Sequence, residues 1–276
     1  MPGKLILVAT PIGNLGDVSA RAREALAAAD VVACEDTRRT AKLLAHLGLE
    51  KSLEIYADHN EAAAAAKITA RLRRGETVAL VTDGGTPLIA DPGYVVVREA
   101  LAAGVEVDFI TGPSAVHAAL ALSGLPPYPY AFLGYLPRRP AERRAFLARY
   151  ASLPATAVLF LAPHRLAAEL EAVRETWGER PAALARELTK VHQEVIRGTL
   201  ATVAAAARAR ELRGEITLVV GAGEETPDAA AATELALELS AAGLTRSRAA
   251  ALAARTFRVP KNLIYKSLPA RGREAE

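Results

Sequence analysis

The sequence holds one cysteine, one methionine and one tryptophan in 276 residues, and aromatic residues make up only 5% of it. The lone cysteine, Cys34, excludes an internal disulfide and a thiolate metal cluster, and it fits a reducing, cytoplasmic setting. Histidines at 46, 59, 117, 164 and 192 lie without ligand spacing, so no metal is expected. No apolar run reaches the roughly 18 residues of a membrane span. The opening MPGKLILVATPIGN has too short an apolar core for a signal peptide and reads as a first strand. G-x-x-x-x-G-K-[ST] is missing, which argues against a P-loop hydrolase. The first loop, P-I-G-N-L-G, is not the G-x-G-x-x-G of an ordinary dinucleotide fold. H-E-x-x-H, C-x-x-C and G-x-S-x-G are absent as well.

What is present supports folded cores: 51% of the residues are hydrophobic, and the length suits two ordinary domains or one large one. The net charge is only +3 although the pI is about 9.1. The basic residues are mostly arginine, the side chain suited to bidentate phosphate contacts, and they bunch at 138–149 and beyond 245.

Residues 80–93, LVTDGGTPLIADPG, organise the chain. A short apolar run ends in a glycine-rich loop, and Asp91 is placed to cap a helix starting at Pro92. The same strand–loop–helix alternation runs through residues 4–122, with strands expected at 4–9, 30–34, 53–56, 77–81 and 105–110 and helices between them. That alternation predicts a parallel sheet covered on both faces. The loops 10–17, 34–38, 58–61, 82–91 and 111–115 then gather on one sheet edge, where open α/β sheets bind ligands. His59, Asn60 and Glu61 also read as the start of a capping box.

Residues 126–140 carry five prolines, so 125–150 is expected to be a linker or lid. A second α/β domain is expected over 151–225, with strands at 156–161, 182–186 and 216–220. Beyond 226 the chain is expected to be helical. Thr245 can cap one helix and Pro260 open another, a helix-turn-helix pattern. Residues 245–276 hold eight Lys or Arg against two Glu, so this part is strongly basic.

The blocks VATPIGNLGD at 8–17, CEDTR at 34–38, DGGTPLIADPG at 83–93 and GPSA at 112–115 resemble the tetrapyrrole methylase superfamily of S-adenosylmethionine-dependent methyltransferases. APHR at 162–165, RELTK at 186–190 and GEITLVV at 214–220 narrow the resemblance to its ribosomal RNA branch, which methylates the 2′ oxygen of a cytidine in 16S rRNA. The resemblance implies two α/β domains with S-adenosylmethionine in the cleft between them, and a homodimer whose partner is the small ribosomal subunit. It places Pro11, Ile12, Asp83, Gly84, Gly85, Thr86, Ile89, Ser114 and Ala115 at the cofactor. It adds Phe132 and Leu133 beside the adenine, and Leu161, Ala162, Glu187, Leu188, Gly214, Glu215, Ile216 and Thr217 from the second domain. Phosphate contacts are expected from Arg138, Arg139, Arg143, Arg144, Arg246, Arg248, Arg258, Lys261 and Lys266.

Positioning an attacking ribose oxygen beside the methyl carbon can supply about 7–11 kcal/mol of the barrier. A general base adds about 10²–10⁴-fold. The candidates in order are Asp36, Glu35, His59 and Asp83, with Arg38 holding Asp36 ionised and meeting an RNA phosphate. A structural Asp36–Arg38 ion pair fits the same spacing. Two other classes share parts of this pattern. A small-tetrapyrrole methylase would lack the basic tail, and a non-enzymatic nucleic-acid binder would have no use for the cleft.

Overall fold

The computed structural model describes residues 3–210, 212–223, 229–257 and 259–269. The chain forms two compact units, residues 1–223 and 224–276.

The larger unit starts with a five-stranded sheet in the order β3-β2-β4-β1-β5. Its strands are β1 (Lys4–Val8), β2 (Val31–Cys34), β3 (Ser52–Ile55), β4 (Thr77–Val81) and β5 (Glu106–Ile110). Every pairing is parallel, with Leu5 opposite Val78 and Val8 opposite Val81. Side chains alternate across the pleat, so each strand feeds two cores. Ile6 and Val8 pack with α1 (Ala20–Ala28) and α2 (Thr37–His46) on one face. Leu5, Val78 and Leu80 pack with α3 (Glu61–Arg73) and α4 (Tyr94–Ala102) on the other. A sheet buried on both faces explains why these strands read as unbroken apolar runs.

One expectation fails at the start of α4. Its first residue is Tyr94 and its cap position is Gly93, with no side-chain cap from Asp91. The carboxylate of Glu61, on α3, accepts the Gly93 N–H at 3.0 Å, and the Tyr56 hydroxyl accepts the Val96 N–H at 3.2 Å. The helix end is satisfied from across the fold, and Asp91 is released from that duty. The 58–61 turn is also not closed by a reciprocal His-Asn-Glu box. Asn60 Oδ1 accepts the Ala57 N–H at 2.9 Å.

Helix α5 (Ala115–Ser123) leads into a second five-stranded sheet, ordered β6-β7-β10-β8-β9. The segment expected as a linker supplies β6 (Tyr130–Tyr135) and α6 (Pro140–Arg149). Proline density hides β6 in the sequence, but the prolines flank the strand, which itself contains none and sits at the sheet edge. β7 (Thr156–Leu161), α7 (Leu166–Trp177), β8 (Pro181–Arg186), β9 (Glu194–Thr199), α8 (Leu200–Ala209) and β10 (Ile216–Val220) follow. β9 was not anticipated. This sheet is mixed: β6 runs parallel to β7, while β10 is antiparallel to both β7 and β8. α6, α7 and α8 cover one face around Leu159, Leu170, Trp177 and Leu218. On the other face Val116, Ala119 and Leu120 of α5 meet Val158, Ala185 and Val219 together with Ile12 from the first sheet's edge. This shared core fixes the two sheets against each other.

The smaller unit contains α9 (Ala229–Ala241), α10 (Arg246–Thr256) and α11 (Lys261–Ser267). In sequence, residues 257–260 separate the last two helices. Its core is made mainly of alanines, 232, 236, 250, 253 and 254, closed by Val259, Ile264 and Leu268. Thr245 occupies the cap position of α10 without a capping bond from its side chain.

Candidate active site

The parallel sheet brings its five strand-end loops to one edge, and the loops after β1 and β4 are tied there. The Thr10 N–H donates to the Gly85 carbonyl at 2.9 Å, and the Gly85 N–H donates to the Thr10 carbonyl at 3.0 Å. Gly85 has φ of 101°, a conformation open to glycine at little cost. At Gly84 an added Cβ would sit 3.2 Å from the Pro11 carbonyl oxygen, so the two loops approach closely and a larger residue there would need them to part by a few tenths of an ångström.

Between this edge and the second sheet lies a cleft with a cavity volume of about 140 Å³, partly open to solvent. Of the cofactor residues expected from the sequence, it is lined by Ile12, Asp83, Gly84, Gly85, Thr86, Ile89, Ser114, Ala115, Glu215, Ile216 and Thr217. Pro11 lines a smaller neighbouring recess instead.

Several other expected residues do not line the cleft. Leu133 and Leu161 pack into the core beneath α6–α8, on the far face of the sheet. Phe132 and Leu188 are part of the α5 core. Ala162 is buried, its N–H donating to the carboxylate of Glu169. Glu187 acts as a staple: its Oε1 accepts from Lys190 Nζ at 2.8 Å and from the Glu215 N–H at 2.9 Å. Gly214 lies against that carboxylate, where any Cβ would clash at 2.2 Å. These residues shape the wall from behind.

The cleft also includes Arg39, Ala90, Asp91, Val116, Tyr135 and Phe160, which the sequence reading missed. Tyr135 is obscured in the sequence because its strand, β6, reads as linker, while Phe160 lies on the expected strand 156–161 with nothing local to show that it faces the cleft. A register shift between Phe132 and Tyr135, with Gly134 at φ of 69°, puts Tyr135 opposite Phe160, their ring centroids 5.3 Å apart. Asp91 stood inside a quoted block but had been given a capping role.

The candidate acids differ sharply in environment. Asp36 caps α2, accepting the Arg38 N–H at 2.8 Å. The Arg38 guanidinium grips the same carboxylate with bonds of 3.1 and 2.8 Å. This holds its pKa well below the usual carboxylate range and makes it a weak base. The structural ion pair is the alternative the geometry favours. Asp83 accepts the Asp36 N–H at 3.1 Å and lies 3.5 Å from Arg39 Nε. His59 is exposed on a 3₁₀ turn and does not line the cleft. Glu35 is half-buried, and burial, followed by the charges of Asp83 and Asp58, raises its pKa. Asp91 is pushed up to about 6, first by burial and then by Glu35, Asp83 and Asp58, against a lowering contact from Thr82.

Of the expected RNA contacts, Arg138, Arg139 and Arg144 are exposed at α6, but Arg143 is buried. Its position on the inner face of α6 removes it from the surface a phosphate could reach. Arg246 bonds the Tyr265 carbonyl at 2.7 Å and lies over the Tyr265 ring, joining α10 to α11. Arg248, Lys261 and Lys266 are exposed on those helices. Arg258 lies outside the described residues.

The cleft combines hydroxyls, two aromatic rings and carboxylates with one arginine, a lining suited to a cationic nucleoside without phosphate. Residues 4–204 match the model of the tetrapyrrole (corrin/porphyrin) methylases. A uroporphyrin-III-C-methyltransferase structure from Thermus thermophilus aligns with a TM-score of 0.57 at 25% identity, covering 79% of this chain and 94% of that one. The chain is 44% identical over 266 residues to a ribosomal RNA small subunit methyltransferase I of Mesorhizobium japonicum, spanning 96% of this chain and 90% of the relative. It is 42% identical over 271 residues to the protein of that name in Pseudomonas aeruginosa, spanning 95% of each. The chain belongs to the tetrapyrrole methylases, and within them to the ribosomal RNA small subunit methyltransferase I family.

Proposed function

We propose that this S-adenosylmethionine-dependent methyltransferase methylates the 2′ oxygen of a cytidine ribose in the 16S RNA of the small ribosomal subunit. The observation that carries the reading is the joining, in one chain, of the phosphate-free nucleoside cleft to a basic helical unit. Relatives named for ribosomal RNA match nearly the whole chain, which supports RNA over a small tetrapyrrole as substrate. A purely nucleic-acid-binding role would leave the cleft unexplained.

Thr86, Ile89, Ser114, Ala115, Ile216 and Thr217 would hold the cofactor, with Tyr135 and Phe160 as apolar walls. Bound there, S-adenosylmethionine supplies an electrophilic methyl group. The chain's own work is to position the ribose oxygen and exclude water. Arg138, Arg139 and Arg144 on the larger unit, and Arg248, Lys261 and Lys266 on the smaller, would meet backbone phosphates. The target nucleotide must be splayed from its neighbours to enter the cleft. A homodimer is part of the proposal, and Tyr94 and Leu101, exposed one above the other on α4, are apolar residues available to it.

The test is in two stages. S-adenosylmethionine should raise the melting temperature of the purified protein, and labelled methyl should then pass to small ribosomal subunits. Stabilisation without transfer to RNA would favour a tetrapyrrole substrate, and no stabilisation would favour a binder.

A further inference from the structure

We propose that Asp91 is the general base of the methyl transfer, taking the proton of the attacking ribose hydroxyl from its place in the cleft wall. The assignment rests on the ribose 2′-O reading above.

Two observations separate Asp91 from the neighbouring acids, of which Glu35 and Asp58 do not line the cleft. Glu61 is occupied with the start of α4, Asp36 with the start of α2 and with Arg38, and Asp83 with the Asp36 N–H and Arg39. Among the described residues no ion pair reaches Asp91, and the helix that its sequence position suggested it would cap is capped without it. It lines the cleft beside Thr86 and Ile89 on the first sheet's edge, with Tyr135 and Phe160 on the second sheet. The loop presenting it is strained: Leu88 and Ala90 hold φ of 73° and 65°, which non-glycine residues adopt at a cost.

The groups facing it come from every surrounding element. Glu35 follows β2, Asp58 follows β3, and Thr82 and Asp83 follow β4. Arg39 of α2 and Glu215 line the same cleft. Tyr135 lines the same cleft, and its phenol pKa is raised by burial, then by Glu215 and Asp91. In these surroundings the carboxyl, at about 6, is ionised near neutral pH and is a stronger base than an exposed aspartate, the compromise that favours proton abstraction.

In the step, the ribose O–H bond breaks and its proton passes to a carboxylate oxygen of Asp91. The oxygen's electron pair forms the new bond to the methyl carbon, and the pair of the broken C–S bond stays on sulfur. The products are the methylated ribose, S-adenosylhomocysteine and a neutral Asp91, which returns its proton to water.

The experiment compares wild type, Asp91→Asn and Asp91→Glu. Asp91→Asn should keep the melting shift caused by S-adenosylmethionine and lose single-turnover methylation of small subunits by about 10²–10⁴-fold. Asp91→Glu, which keeps a proton acceptor, should recover part of the rate. The wild-type rate should rise with pH through a midpoint near 6, and that rise should be missing from Asp91→Asn. Independently of activity, carboxyl NMR of the protein without cofactor should show one aspartate titrating near 6 that disappears in Asp91→Asn. Wild-type rates in Asp91→Asn, an unchanged pH rise in that variant, or no such titration would overturn the assignment while the function stands. Failure of the wild type to mark a ribose would overturn the function, and the base with it.

Discussion

Asp91 carries a cost in stability as well as a proposed role in chemistry. Its folded pKa is raised above the unfolded value, so the folded state holds this proton more tightly. Its contribution to stability is therefore full at low pH and is lost as pH rises through about 6. Asp91→Asn should melt higher than wild type at pH 8, with the gain shrinking toward pH 4, as thermal melts across that range will show. Glu61 behaves in the opposite sense. The Gly93 N–H holds its pKa down, so its contribution is present at neutral pH and lost as pH falls through the carboxylate range. Glu61→Gln should lower the neutral-pH melting temperature and approach wild type in acid. Gly85→Ala should cost about 1–2 kcal/mol in denaturant unfolding, because φ of 101° crowds any Cβ. It should also weaken cofactor binding by calorimetry, since the loop it distorts lines the cleft.

At the scale of elements, the first sheet was legible because its period and punctuation agree. Apolar runs such as KLILV and TVALV end in polar or glycine-rich loops, and once the sheet is parallel those loops must share an edge. Strand β6 was not legible. Its YAFLGY sits among five prolines, and only pairing with β7 reveals it as an edge strand. With it went Tyr135, whose place opposite Phe160 in the cleft depends on a bulge that no local pattern announces. The role of Asp91 is similarly hidden, while that of Asp36 is the ion pair its spacing to Arg38 already suggests. Sequence places both at strand-end loops, but the long-range bonds from Glu61 and Tyr56 satisfy the start of α4 and leave Asp91 for the cleft. Helix α6 gives a direct test of face. Arg143→Ala should lower the melting temperature, because a buried side chain and its packing are lost. Arg144→Ala, on the exposed face, should leave stability unchanged and weaken binding to small subunits in a salt-dependent way.

At the scale of the molecule, the proposed function gives the two units different work. Residues 1–223 contain the whole cleft and its cores, so a chain ending at Gly223 should fold and keep its melting shift with S-adenosylmethionine. It should lose methylation of small subunits, because the exposed basic residues of α10 and α11 are removed. Intact transfer by the shortened chain would show that the helical unit is dispensable for the substrate. The shallow net charge of +3 hides this division, since acidic residues elsewhere offset a basic end. The most direct measurement for the whole reading is to map the methyl group on 16S RNA from small subunits treated with the protein and S-adenosylmethionine. Nuclease mass mapping and resistance to alkaline cleavage should both locate it on the ribose of a single cytidine. A methyl group on a base, or RNA left unmodified by an enzyme that still binds its cofactor, would contradict it.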